Sequence, residues 1–160
     1  CPLVLDADGL NSLEGDLSVI SYAKREIVVT PHPKEFSRLS GISLSQIAQN
    51  RYGIAKGFAV DIKVTLLLKG ADTIIASKDG GVCINTTGSS ALAKGGSGDV
   101  LSGIIGSLIA QGMDVPTAAA AAAYLHGSAG DLLKETYSDY GCLPSELPAA
   151  AAKVIKSILK

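Results

Sequence analysis

Val64-Thr-Leu-Leu-Leu68 is an almost unbroken apolar run of strand length. A strand without apolar–polar alternation needs cover on both faces, a condition met in a parallel sheet flanked by helices. Leu3 to Leu5 and Glu26-Ile-Val-Val-Thr30 read as strands of the same kind. Helices are predicted around them, over 16–24, over 33–39 with Gly41 as the stop, and over 44–56 and 57–62. Thr73-Ile-Ile-Ala-Ser77 and Val82-Cys-Ile-Asn85, separated by Asp79-Gly80-Gly81, read as a hairpin. Beyond it the pattern is helical over 99–111, 116–135 and 144–159, with Gly112 ending the first and Pro116 in the first turn of the second. Strands alternating with helices predict one α/β domain over the 160 residues, with right-handed crossovers and a mainly parallel sheet.

In open sheets of this kind ligands bind beyond the carboxyl ends of the strands. Asp6-Ala-Asp8, Thr30-Pro-His-Pro33 and Lys69-Gly70 each follow directly on a strand, so they are expected on one rim. Composition removes several classes of partner. The formal net charge is −1 with no charge run, and aromatic residues make up 4% without any Trp, which argues against nucleic acid. The longest apolar stretch, near Val100 to Ala110, contains Ser and Gly and is too short to span a bilayer. Cys1, Cys83 and Cys142 lie far apart with no Cys-x-x-Cys, which fits reduced thiols in a cytoplasmic protein. No His, Cys, Asp and Glu residues show metal-ligand spacing, so any Mg²⁺ is expected to be held through phosphates and water.

The segment Leu92-Ala-Lys-Gly-Gly-Ser-Gly-Asp-Val-Leu-Ser-Gly103 carries the strongest chemical signal. Gly95, Gly96 and Gly98 surround Ser97, Asp99 follows, and a helical apolar pattern begins at Val100. Glycines permit close backbone approach, and the free N–H groups opening a helix favour an anion. The segment is either a plain loop before a helix or a phosphate site. It is not a Walker A loop, since no Gly-Lys-Ser/Thr follows the glycines. Asp99 is either a helix N-cap or a base for a hydroxyl attacking phosphorus. Phosphoryl transfer is compatible with a carboxylate there, because its loose transition state needs orientation and charge stabilisation more than a strong base. Lys94 reads equally as a phosphate neutraliser or a solvated cation.

Other candidates also keep two readings. Lys69-Gly-Ala-Asp-Thr73 is an ordinary strand-to-strand turn or a nucleotide-contacting corner. His32, stiffened by Pro31 and Pro33, is a structural residue or a ligand contact, and Glu35 is a first-turn helix acid or a site residue. His126, inside a predicted helix beside Tyr124 and Leu125, reads as packed or surface-exposed. The run Ala118 to Ala123 reads as a helix set tightly against a neighbour.

Taken together, Val4-Leu-Asp-Ala-Asp-Gly-Leu-Asn11, Thr30-Pro-His-Pro-Lys-Glu-Phe36, Lys69-Gly-Ala-Asp-Thr73 and the stretch Asn85 to Gly103 resemble the carboxyl-terminal half of ADP/ATP-dependent NAD(P)H-hydrate dehydratases. Ala123-Tyr-Leu-His-Gly-Ser-Ala-Gly-Asp131 and Ser145-Glu-Leu147 extend the resemblance over nearly the whole chain. It implies a partial ribokinase-like three-layer sandwich. It also implies a repair reaction, in which the hydroxyl of hydrated NADH or NADPH is phosphorylated by ADP or ATP with Mg²⁺ and then eliminated as phosphate. By similarity His32, Glu35 and Asp99 contact the hydrated dinucleotide, with Asp99 as catalytic base. Lys69, Gly70, Ala71, Asp72, Thr73, Gly95, Gly96, Ser97 and Gly98 contact or shape the adenine-nucleotide site. Similarity also favours a homo-oligomer. Thr87-Gly-Ser-Ser-Ala-Leu-Ala-Lys94 departs from the Thr-Gly-Asn-Pro-Gly-Met-Ala-Thr form common in bacterial members. The chain opens at Cys1 inside a strand pattern. It is therefore expected to lack the amino-terminal half of the domain, to be inactive alone, and to need that segment in the same or another chain. The alternatives are a ribokinase-like kinase for a vitamin precursor or sugar, and a non-catalytic nucleotide-binding module.

Overall fold

The computed structural model describes residues 1–13 and 15–159. Five strands form one sheet in sequential order: β1 (Leu3–Leu5), β2 (Ile27–Val29), β3 (Thr65–Leu68), β4 (Thr73–Ala76) and β5 (Val82–Asn85). β1, β2 and β3 run parallel, with Val4 opposite Val28 and Val29 opposite Leu66. The predicted hairpin adds β4 and β5 antiparallel at one edge, with Leu67 opposite Ile75 and Ile75 opposite Cys83. The helices are α1 (Ala7–Asn11), α2 (Ser18–Ser21), α3 (Pro33–Ser40), α4 (Leu44–Gln49), α5 (Arg51–Ile62), α6 (Ser97–Ala110), α7 (Val115–Gly141) and α8 (Leu147–Ile158).

Strand side chains point alternately to the two faces, and both faces are covered. Val29, Leu66, Leu68, Ile74 and Ala76 pack with Phe36, Ile47, Phe58 and Ala59 from α3, α4 and α5. Val28, Leu67 and Ile75 pack against Leu101 and Ile105 of α6 and against Val115, Ala119, Ala122 and Ala123 of α7. That is the three-layer arrangement, and it explains the unbroken Leu66-Leu67-Leu68 run: all three side chains are fully buried. Burying each leucine is worth about 1.5–3 kcal/mol. Phe36 and Phe58 meet edge to face, 5.0 Å between ring centroids. The alanine run lies inside α7, where Ala118, Ala119, Ala122 and Ala123 are buried.

Boundaries follow local chemistry. α3 opens with Pro33 in its first turn and stops at Gly41, which has φ 73°. Asn50 separates α4 from α5, its side chain accepting from the Gly53 N–H at 2.9 Å. The sequence places that division later, near Gly57. α7 runs past its predicted end at Glu135, through a non-helical Ser138, to Gly141. A separate cluster of Ala129, Leu133, Cys142, Leu147 and Ala150 ties α7 to α8. No described helix is long and apolar enough to cross a membrane.

Candidate functional site

Because β1, β2 and β3 are parallel, the segments after them emerge on one rim. The pairing continues past the strand ends: Thr30 N–H donates to Leu5 O at 3.0 Å, and Lys69 N–H donates to Pro31 O at 2.9 Å. Asp6, His32 and Lys69 are thereby brought side by side, as expected from their positions. A cavity of about 780 Å³ opens beside them. His32, Lys69, Gly70, Ala71, Thr73, Ser97 and Gly98 contribute to its lining. Asp72, Gly95, Gly96, Glu35 and Asp99 lie outside that lining.

The start of α6 has the geometry of an anion site. Gly96 precedes the helix with φ 89°, a left-handed conformation that glycine adopts without steric cost, and no side chain caps the helix. Ser97 N–H donates to Lys94 O at 3.2 Å and Val100 N–H to Gly96 O at 3.3 Å. The N–H groups of Gly98 and Asp99 have no protein partner among the described residues. Asp99 itself is exposed on the first turn.

His32 has a structural role. It caps α3, its Nδ1 accepting from the N–H of Lys34 and of Glu35, each at 3.1 Å. Glu35 completes the capping box by accepting from His32 N–H at 2.8 Å. An accepting Nδ1 places the hydrogen of the neutral ring on Nε2, which lies 3.4 Å from Glu35 Oε1. Glu35 is buried and reaches within 4.0 Å of the Lys69 ammonium.

Asp6 accepts from Lys69 Nζ at 2.8 Å and from Ser102 Oγ at 3.2 Å. Burial pushes the Asp6 carboxyl upward, but the hydrogen bond and charge of Lys69, with smaller contributions from the Ala7 N–H and the Thr30 hydroxyl, together hold the group below its ordinary value of 3.8. Arg51 supports the corner after β3 from behind, its Nη2 donating to Lys69 O at 3.2 Å.

Local patterns do not disclose the far wall. Asn85 Nδ2 donates to Ala123 O at 3.3 Å, Thr87 Oγ1 to Tyr124 O at 3.2 Å, and Gly88 N–H to Asp131 Oδ2 at 2.8 Å, so α7 carries the loop after β5. Gly127 makes the close approach possible: a Cβ there would stand 2.6 Å from Thr87 O. Ser89 Oγ, in the same wall, is buried with no hydrogen-bond partner among the described residues. His126 is buried with Nε2 against Ser97. Burial holds its pKa below the ordinary 6.5, with the nearby Lys69 charge acting the same way against the Ser97 hydrogen bond. Lys94 donates to Tyr140 O at 2.8 Å and Cys142 O at 2.6 Å, which ties its ammonium to the end of α7. No group of three or more His, Cys, Asp or Glu side chains that could hold a metal is present among the described residues.

A family model for NAD(P)H-hydrate dehydratase matches residues 1–153. The chain is 41% identical over 162 residues to an ADP-dependent (S)-NAD(P)H-hydrate dehydratase of Neisseria meningitidis, covering 99% of this chain and 55% of that protein. It is 49% identical over 130 residues to a bifunctional NAD(P)H-hydrate repair enzyme of Moorella thermoacetica, covering 81% of this chain and 24% of the relative. The crystal structure of the Bacillus subtilis ADP/ATP-dependent NAD(P)H-hydrate dehydratase, co-crystallized with ATP/Mg²⁺, superposes with a TM-score of 0.87 at 35% identity, covering 98% of this chain and 55% of that one. A ribokinase-like superfamily protein of Enterococcus faecalis superposes with a TM-score of 0.80 at 30% identity, over 96% of this chain and 52% of that one. The chain thus spans about half the length, or less, of the relatives it matches. Fold, motif positions and similarity agree: the chain belongs to the NAD(P)H-hydrate dehydratase family, on a ribokinase-like α/β fold.

Proposed function

We propose that the protein carrying this chain restores hydrated NADH or NADPH by nucleotide-driven loss of water. The observation that carries the reading is the opening turn of α6. There, two N–H groups without a partner among the described residues open the helix beside a cavity large enough for a nucleotide, with Gly98 in its lining and the exposed Asp99 next in sequence, outside that lining. The substrate hydroxyl gives its proton to Asp99 and attacks the terminal phosphorus of ADP or ATP. The shortened nucleotide leaves. Phosphate is then expelled from the ring with loss of the adjacent proton, so the carbon–carbon double bond re-forms. The Gly98 and Asp99 amides meet the charge that develops on the transferred group. His32, which contributes to the cavity lining, and Glu35, which fixes His32, serve the dinucleotide. Lys69 to Thr73, with Gly95, Gly96, Ser97 and Gly98, serve the nucleotide.

Mg²⁺ fits this site as an ion carried by the nucleotide. The described residues offer single carboxylates rather than a cage, and Mg²⁺ favours phosphate oxygens and retained water. Bound there, it would neutralise phosphate charge. By similarity we also propose a homo-oligomer. A cytoplasmic site suits the free thiols of Cys1 and Cys83. Residues supplied by the amino-terminal half of the family domain complete the substrate side.

The complete gene product, given hydrated NADH and either nucleotide, tests the reading. Recovery of the reduced-nicotinamide absorbance, matched mole for mole by phosphate release, is expected. A stable phosphorylated metabolite with no recovery would point to a small-molecule kinase instead. Nucleotide binding without turnover would point to a binding module.

A further inference from the structure

We infer that Asp6 is a positioning residue that fixes the Lys69 ammonium beside the opening turn of α6, where that ammonium meets the terminal phosphates of bound ATP or ADP. The inference rests on the proposed nucleotide site and assigns a subsite within it.

Asp6 stands at the N-cap position of α1, where an aspartate ordinarily accepts from the following turn. It makes no side-chain cap bond. Its two oxygens turn to other elements: Oδ1 takes the Lys69 ammonium at 2.8 Å, and Oδ2 takes Ser102 Oγ of α6 at 3.2 Å. One carboxylate therefore joins the ends of β1 and β3 to the helix that begins at the glycine loop. The pair is shielded, with the Asp6 side chain 12% exposed and that of Lys69 23% exposed. A lysine so placed is expensive to desolvate unless its charge is matched on both sides. Asp6 matches it from the protein side, and Glu35 Oε2 lies 4.0 Å away.

Gly98 shows how close the ammonium comes to the anion-binding turn. A Cβ built on Gly98 would lie 3.4 Å from Lys69 Nζ and 3.2 Å from Asp6 Oδ2. An ammonium has three donors. One is taken by Asp6, and Lys69 also lines the cavity. The remaining donors sit within one residue's width of the unpartnered Gly98 N–H. An anion held by that amide would meet them. Without Asp6, the four-carbon stem regains its rotamer freedom, and the nucleotide must order it on binding.

The test is a double-variant cycle in the complete gene product, read by calorimetric affinity for ATP/Mg²⁺ and, in parallel, for AMP. Lys69→Met is expected to weaken ATP about tenfold or more, and Asp6→Asn about three- to tenfold, as loss of a charge-assisted contact predicts. In the Lys69→Met background, adding Asp6→Asn is expected to change ATP affinity by less than about twofold, since Asp6 acts through Lys69. AMP, which lacks the terminal phosphates, is expected to bind all variants alike. Unchanged ATP affinity in Asp6→Asn, losses that multiply in the double variant, or AMP falling together with ATP would overturn the inference. If Asp6→Asn does not fold alone, the double variant leaves neither member of the Asp6–Lys69 pair charged, and its comparison with Lys69→Met, which shares the same Glu35 environment, still decides. Turnover of hydrated NADH is scored separately. A cycle that behaves as expected in a protein without turnover upholds the Asp6 assignment and rejects the dehydratase reading.

Discussion

His126 Nε2 lies 3.1 Å from Ser97 Oγ and 3.0 Å from Ser97 O, joining the middle of α7 to the first residue of α6. A carbonyl oxygen only accepts, so Nε2 carries the hydrogen and the neutral ring donates to it. Ser97 is buried, and its backbone sets the direction of the Gly98 and Asp99 amides. A residue twenty-nine positions away in sequence thus holds the glycine loop in place.

That pairing gives a pH dependence. The folded protein holds the His126 pKa below the unfolded value of 6.5, chiefly through burial. In the interval between the two values the unfolded chain binds more protons, so stability is fully present above the unfolded value and falls as pH drops below it. Thermal melts are expected to show a lower Tm near pH 5 than near pH 7. His126→Gln is expected to flatten that particular slope. A wild-type Tm unchanged across the interval contradicts the assignment.

Gly98→Ala separates function from stability. Gly98 is the second residue of α6, where alanine's preference over glycine is less than its helix-interior value of about 1 kcal/mol, so Tm is expected to change little. The alanine methyl would press on Asp6 Oδ2 at 3.2 Å and Lys69 Nζ at 3.4 Å, and would crowd the proposed phosphate site at the opening turn of α6. Affinity for ATP/Mg²⁺ is expected to fall about tenfold, a loss of about 1.4 kcal/mol. Calorimetry alongside thermal melts checks both halves.

Gly127→Ala is expected to do the opposite and act through stability. Its Cβ would run into backbone, 2.6 Å from Thr87 O and 2.7 Å from Thr87 C. Overpacking of this kind costs about 1–3 kcal/mol, measurable as a shift of the denaturant midpoint.

Asp99→Asn is expected to reduce turnover by at least about a hundredfold, the range for loss of a general base, while ATP affinity changes little. The amide keeps the shape of the exposed side chain and removes its capacity to take a proton. Steady-state kinetics with calorimetry on the same sample checks both halves; Tm is expected to hold, because no side chain caps α6.

Much of the fold is legible in local pattern. The Leu66 to Leu68 run, the Asp79-Gly80-Gly81 turn and the Pro33 and Gly41 boundaries act within a few residues, and the elements form where those signals place them. α1 is different. Asp6-Ala-Asp8 reads only as the segment that follows a strand, yet the chain enters a short helix there through Ala7 at φ 45°, a conformation that sequence preference opposes. The rim is legible because parallel strands must deliver Asp6, His32 and Lys69 to one edge. What those side chains then do is not. The Asp6–Lys69 pair spans 63 positions, the Lys94 tie to Cys142 spans 48, and the Ser97–His126 contact leaves no periodic trace. His32 shows why: the Pro-His-Pro-x-Glu pattern that suggests a ligand contact also builds a capping box.

In the proposed reaction the amides opening α6 hold the terminal phosphoryl group of an adenine nucleotide beside Asp99. A crystal of the complete gene product grown with ATP or ADP and Mg²⁺ tests it directly. Terminal-phosphate oxygens are expected within hydrogen-bond distance of the Gly98 or Asp99 N–H, with Lys69 Nζ alongside. A nucleotide seated away from α6, with those two amides unbound, would contradict it.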